Sequence, residues 1–284
     1  MLKHTIYKIR AICTMAKANF DSWLNSPRTL IMFLFVGAFS YVVTNNFRIS
    51  IENLPYDLGF LEAVFYMIFN GCNITMTSVL FLITVSELPR RIGFQYNMLI
   101  RSSRNLWLFS QILYCLWMVL LMLGLVIVCT SMVLAPVTSI NNEWCEAKLI
   151  AEKKILAHES LIPAFIRNNF TPITACLYAL LPMFLFWLAM VLVILFCGMF
   201  NVPSLGVILY ALMLVANVVF MLEFIGGIPM PIYYSTLNNI IRGAEGREWG
   251  KITDAMIKYS IMILTLVFGM FIRAKKADLI FISK

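Results

Sequence analysis

The stretch PITACLYALLPMFLFWLAMVLVILFCGMF, residues 172–200, holds no Asp, Glu, Lys or Arg, and NVPSLG leads from it into a second uncharged run. No charge intervenes between Arg167 and Glu223. At about 1.5 Å per residue, one helix over that interval would far overrun a hydrocarbon core of roughly 30 Å. Gly and Pro punctuate helices, and the segment from Gly198 to Gly206 carries both, around Asn201-Val202-Pro203. The reading is therefore two membrane spans, 172–200 and 204–222.

The same spacing of charges marks the rest of the chain. Arg28 and Arg48 bracket 29–47, and Glu62 and Glu87 bracket 63–86. A third run follows Arg104 and loses its apolar character near Pro136, which sets a span at 106–135. The last run, 255–272, carries Lys258 near one end, from which a long side chain snorkels to the interface. The 284 residues are 61% hydrophobic and 13% charged. Soluble domains are about 45–50% apolar and about 25% charged, so an ordinary globular protein is excluded, as is a charge-rich disordered chain. The runs are too long and too unalternating for barrel strands. An all-α membrane protein with six transmembrane helices in one transmembrane domain, 1–284, is expected.

Lys and Arg set orientation. With the N-terminus inside, the inner segments hold 13 of the 22 basic residues and 3 of the 14 acidic ones. Both termini are thus expected on the cytoplasmic side of the cell membrane. The formal charge of +8 reads as topology and docking, and nucleic acid is not an expected partner. The first uncharged apolar run begins only at Thr29, which argues against a cleaved leader.

Four segments are not plain spans. Ile6, Ile9, Cys13, Ala16, Phe20 and Trp23 recur at steps of three and four, with Lys3, Lys8, Arg10 and Lys17 between them. That pattern suits an interfacial helix over 1–28 on an anionic leaflet, with membrane lipid as partner. Ser26-Pro27-Arg28 then turns the chain into the first span. Residues 87–105 are basic and partly apolar, a composition that fits a docking element or a topology-setting loop equally. Residues 136–171 form an outer loop with a loose amphipathic pattern over 143–167, followed by the sequon Asn169-Phe170-Thr171. Residues 223–254 form a second outer segment, read as a hairpin because Gly226, Gly227, Pro229 and Pro231 break its apolar run.

Chemistry-bearing motifs are sparse. Gly243–Lys251 lacks the spacing of a Walker A loop, and no His-Glu-x-x-His or Gly-x-Ser-x-Gly occurs. His4 and His158 are assigned to opposite faces, which leaves no His-based catalytic pair. Seven Cys without a CxxC pair indicate neither a metal nor a disulfide framework, and buried free thiols are expected. No metal or catalytic residue is assigned, and the chain is not expected to be an enzyme. Glu62 and Glu223 lie near outer span ends, where each reaches water or marks function. Asn70, Asn73 and Asn217 are deeper and serve packing between helices or a substrate path. Glu223, Pro229 and Pro231 complete the candidate path.

In order and spacing, these features resemble the ABC-2-type transporter permeases. The resemblance rests on the amphipathic N-terminal helix with Asn25-Ser-Pro-Arg28 and on span two ending at Glu87. It continues through the basic loop with Gly93-Phe-Gln-Tyr96 and Arg101-Ser-Ser-Arg104-Asn-Leu-Trp107. It closes on the hairpin Ile228-Pro-Met-Pro231 before span six and the terminal Arg273-Ala-Lys-Lys276. It covers essentially the full length, and its motifs are loose taken singly. It implies a type V exporter-like bundle that pairs with a second permease, as homodimer or heterodimer. Two copies of a separate ATP-binding subunit would dock on the cytoplasmic side, so ATP and Mg belong to that subunit and no cofactor to this chain. Glu87, Arg90, Arg91, Gly93, Tyr96, Arg101 and Arg104 would then form the coupling loop, with 1–28 as the connecting helix. Export of a hydrophobic or amphipathic cargo, such as a small peptide, drug or lipid-linked molecule, is implied. The alternatives are a non-transporting scaffold or immunity subunit, and a membrane-embedded enzyme.

Overall fold

A computed structural model of the chain describes residues 2–51, 58–69, 71–89, 103–135, 138–139, 142–144, 164–221 and 248–276. The elements are α1 (Leu2–Leu24), α2 (Pro27–Ile51), β1 (Leu58–Gly59), α3 (Phe60–Phe69), α4 (Gly71–Val85), α5 (Arg104–Leu134), β2 (Thr138–Ser139), α6 (Ala164–Asn169), α7 (Pro172–Gly198), α8 (Pro203–Met221) and α9 (Glu248–Lys276). The two strands are a two-residue parallel pair, Leu58 beside Thr138 and Gly59 beside Ser139. All else of regular structure among the described residues is helix.

Four helical stretches are long and apolar enough to cross a membrane: Pro27–Asn45, Arg104–Leu134, Pro172–Gly198 and Met256–Lys275. The α3–α4 pair makes a fifth if its two parts act as one span, and the described apolar part of α8, Pro203–Ala216, is shorter. The chain is a multi-pass helical membrane protein by these lengths. Its exposed side chains agree: Leu34 and Phe35 on α2, Ile208 and Leu212 on α8, and Ile261, Leu264 and Phe268 on α9 all face outward. Such a surface is unsuited to water.

At the centre runs α7, against which α3, α5, α8 and α9 all pack. It is apolar all round, as a helix enclosed by others is. Trp187 on α7 donates its indole N–H to Ser78 Oγ of α4 at 2.7 Å and packs its ring on Phe81. Pro182 lies inside α7 without ending it; neighbouring helices make such prolines tolerable in membranes.

The uncharged run expected as one span, 63–86, is two helices that meet at 75°. A helix end leaves carbonyls without intrahelical partners. Asn73 satisfies one by donating its amide to the Met67 carbonyl at 3.2 Å. Irregular backbone at membrane depth persists where protein shields it, and Met67, Ile68 and Asn73 are all buried.

The break between α7 and α8 falls where expected, by a different device. Val202 N–H bonds the Cys197 carbonyl and Asn201 N–H the Gly198 carbonyl, the paired bonds of a Schellman turn. Asn201 takes the left-handed conformation at φ 60°, and Pro203 opens α8. The flanking glycines serve close approach instead. A Cβ on Gly206 would stand 2.7 Å from the Ile194 Cα of α7.

Helices also run past the predicted span limits. α9 starts at Glu248, seven residues before Ala255, and α2 continues to Ile51 beyond Arg48. The outer helix expected within 143–167 and the hairpin within 223–254 fall largely outside the described residues.

Candidate functional site at the Arg28 end of the bundle

The chain enters the bundle through a compact turn. α1 ends at Leu24, and Pro27 opens α2, a first-turn position where its missing N–H costs nothing. Ser26 Oγ accepts from Thr29 N–H, and Thr29 Oγ1 donates to the Trp23 carbonyl at 2.7 Å. Trp23 in turn donates its indole N–H to the Thr84 carbonyl at 3.3 Å. This fixes the start of α2 beside the end of α4.

From there a chain of contacts circles the end of the bundle. Arg28 Nη1 pairs with Glu87 Oε1 at 2.9 Å, with both side chains substantially exposed, 51% and 40%. Two residues on, Pro89 rests against Gly198, where a Cβ would come within 2.1 Å of the proline Cδ. Gly198 leads into the turn carrying Phe200, and the Arg273 guanidinium of α9 lies 4.7 Å from that ring's centroid. Phe271, on the same turn of α9, packs edge-on against Phe109 of α5 at 5.0 Å. Arg104, the first residue of α5, donates from Nη1 to the Lys275 carbonyl at 3.2 Å. A cation there suits the carbonyl-rich C-terminus of a helix. α2, α4, α7, α9 and α5 are thus joined in series, and α5 packs in turn on α2, which closes a ring.

The expected coupling residues divide in two. Glu87 and Arg104 are described, and each binds another helix of the bundle. Arg90, Arg91, Gly93, Tyr96 and Arg101 lie outside the described residues. The described ends of the segment 87–105 are thus each anchored to the bundle. Arg28, Pro89, Phe109, Gly198, Phe200, Phe271, Arg273 and Lys275 contribute without having been singled out from sequence as site residues. Phe200 and Val202 expose large apolar surface beside Arg273. Apolar residues in a polar inter-helix turn were the available signal.

α1 lies against α5. Its apolar stripe is split between two surroundings. Ala16 and Trp23 are buried, and Phe20 sets its ring against Trp117 of α5 at 5.8 Å. Ile6, Ile9 and Cys13 remain exposed, next to exposed Lys8, Arg10 and Lys17.

The candidate substrate-path residues are not gathered into one place by the described structure. Asn73 is occupied at the α3–α4 break, as above. Asn217 lies on α8, and its side chain is outside the described residues, as are Asn70, Glu223, Pro229 and Pro231. Glu62 does not reach water: it is 1% exposed, in the first turn of α3, where helix N–H groups favour a carboxylate. Cys115, Cys176 and Cys197 are buried, whereas Cys13 and Cys72 are exposed.

The opposite end is built of aromatic contacts. Trp144, 5% exposed, donates its indole N–H to the Phe170 carbonyl at 2.7 Å. Its ring meets Phe65 of α3 edge-on at 5.4 Å, and Phe170 meets Tyr178 of α7 at 5.3 Å. Asn142 Oδ1 accepts from Ile173 N–H at 3.1 Å, capping the start of α7.

No protein-family model, no curated protein and no solved structure matches this chain.

Proposed function

We propose that this chain is the membrane permease of an ATP-binding cassette transporter of the ABC-2 type. In this reading it crosses the cell membrane six times, with both termini and the Arg28 end in the cytoplasm. It pairs with a second permease and exports a hydrophobic or amphipathic cargo. ATP hydrolysis takes place on separate subunits that dock on the 87–105 loop.

The observation that carries the reading is the ring at the Arg28 end. Glu87 and Arg104 bound the basic loop, and each is tied to a different helix, α2 through Arg28 and α9 through the Lys275 carbonyl. A partner that moves this loop therefore pulls on several helices at once. The exposed Phe200 and Val202 turn, seated against Pro89, gives the partner a second, apolar foothold. Transport also needs the two access states to differ in their affinity for cargo, since a ligand shifts an equilibrium only by that difference.

The test is purification of the tagged full chain from its native membranes in mild detergent. An ATPase should co-purify and should be stimulated by the permease. Arg90→Glu with Arg101→Glu should abolish its retention while leaving the permease folded. A double variant that keeps a fully coupled ATPase would refute the docking assignment, and purification without any ATPase would refute the transporter reading.

A further inference from the structure

Most buried polar side chains among the described residues follow a rule. Hydroxyls fold back onto their own helix: Thr77 on Asn73 and Ile74, Thr84 on Phe81, Ser110 on Trp107, Thr130 on Val126. The buried indoles of Trp23, Trp144 and Trp187 each donate to another element. The departures, Ser40 Oγ and Arg273 Nε among them, are single atoms except on α5, where two neighbouring residues depart together. The Trp107 indole nitrogen and both amide atoms of Gln111 are buried without a hydrogen-bond partner among the described residues. Trp107 is 2% exposed and Gln111 0%.

The two residues are four apart, so they are neighbours on one face of the helix. Tyr114, Cys115 and Met118 continue this face, all fully or almost fully buried. It points into the bundle, whereas Phe109 and Leu120 are exposed. Gln111 is seven residues from Arg104, hence about 10 Å along the helix from the ring. Toward the Arg28 end, α5 is held to α9 by the Arg104 bond to Lys275 and the Phe109–Phe271 ring pair. The first is exposed and easily exchanged for water.

A glutamine amide left unpaired in an apolar interior is costly, and a leucine of similar size would fill the position without that cost. Proteins keep such groups where function uses them. A donor and an acceptor side by side, with an indole donor one turn away, complement a neutral group that both gives and takes a hydrogen bond. They offer no charge to compensate an ion.

We infer that Trp107 and Gln111 form a binding station for a neutral amide or hydroxyl group of the cargo, reached when the cytoplasmic end of α5 parts from α9. The inference rests on the transporter reading and specifies the chemistry of its route.

Three measurements on the full chain in nanodiscs decide it. Gln111→Leu should raise the melting temperature by a few degrees, because it removes an unpaired buried amide; a fall would mean that Gln111 is bonded structurally, and would overturn the proposal. Decanamide, a neutral amide that partitions into bilayers, should raise the melting temperature of the wild type more than that of Gln111→Leu, whereas decanoate should not discriminate between them. Equal decanamide shifts would overturn the station. In the purified complex, Gln111→Cys should react with a membrane-impermeant maleimide at least tenfold faster than Val119→Cys, a buried position with apolar surroundings. Equal rates would overturn its access from the cytoplasm. The first two measurements need no ATPase, so they stand or fall separately from the transporter reading.

Discussion

The two ends of this bundle are fastened by different physics. At the Trp144 end the fastening is dry: a buried indole, its hydrogen bond to Phe170, edge-on aromatic rings and a two-residue strand pair. At the Arg28 end a buried turn at Trp23 is joined by wet fastenings: an exposed ion pair, an exposed arginine on a carbonyl, and an arginine over a ring. Loss of a whole buried Trp side chain costs about 3–5 kcal/mol. Exposed ion pairs contribute about 0.2–1 kcal/mol. On these magnitudes the exposed contacts of the Arg28 end exchange partners at smaller cost than the buried ones of the Trp144 end. The transporter proposed above, driven from the cytoplasm, would use that division.

Substitutions can break or sharpen the contrast. The largest expected effect is at the dry end. Trp144→Ala should cost about 3–5 kcal/mol, read as a fall in thermal stability in nanodiscs. Trp144→Phe, which keeps the ring and loses the N–H, should cost about 1 kcal/mol. Next comes Gly198→Ala, at a tightly packed point of the wet end. The added methyl would meet Pro89, and overpacking of this kind costs about 1–3 kcal/mol. If the ring transmits force from the loop, the same variant should loosen the coupling of ATP hydrolysis to this subunit by more than its stability loss explains. Arg104→Ala should cost about 0.3–1 kcal/mol, the scale of a cation at a helix C-terminus, measured by denaturation at low salt. Smallest is the Arg28–Glu87 pair. A double-mutant cycle with Arg28→Ala and Glu87→Ala should return a coupling of about 0.2–1 kcal/mol, shrinking as salt screens it. A cycle energy of several kcal/mol at the wet end would erase the contrast.

Much of the fold is legible in the sequence because bilayer physics is written in charge spacing. The runs from 106 to 135 and from 172 to 200 become helices with ends within a few residues of those expected. The departures have physical causes. Charges mark the edge of hydrocarbon, and a helix can continue into water, as α9 does through Glu248-Trp-Gly-Lys-Ile-Thr-Asp254. An Asn-Gly pair in an apolar run is compatible with an unbroken span, so the α3–α4 break at 70–71 was hidden. Among the described residues, the Asn73 bond to Met67 satisfies one carbonyl at the break. The stripe on α1 was legible as apolar, but periodicity cannot tell a face that meets protein from one that does not, and here the two halves differ. The ring was half legible. Glu87 and Arg104 stood out as charges beside a basic loop, whereas Gly198, Phe200 and Arg273 join it only through distant pairings. Gln111 gave no signal, because one Gln in an apolar helix reads as ordinary until its partners are sought.

In the proposed transporter the Arg28 end is expected to move and the Trp144 end to stay fixed. Spin labels in the purified complex, one pair at positions 24 and 202 and another at 142 and 168, would measure both ends by pulsed dipolar spectroscopy before and after addition of a non-hydrolysable ATP analogue. The expected result is a displaced distance distribution for the first pair and an unchanged one for the second. Movement confined to the 142–168 pair, or none at either end in a complex that hydrolyses ATP, would contradict it.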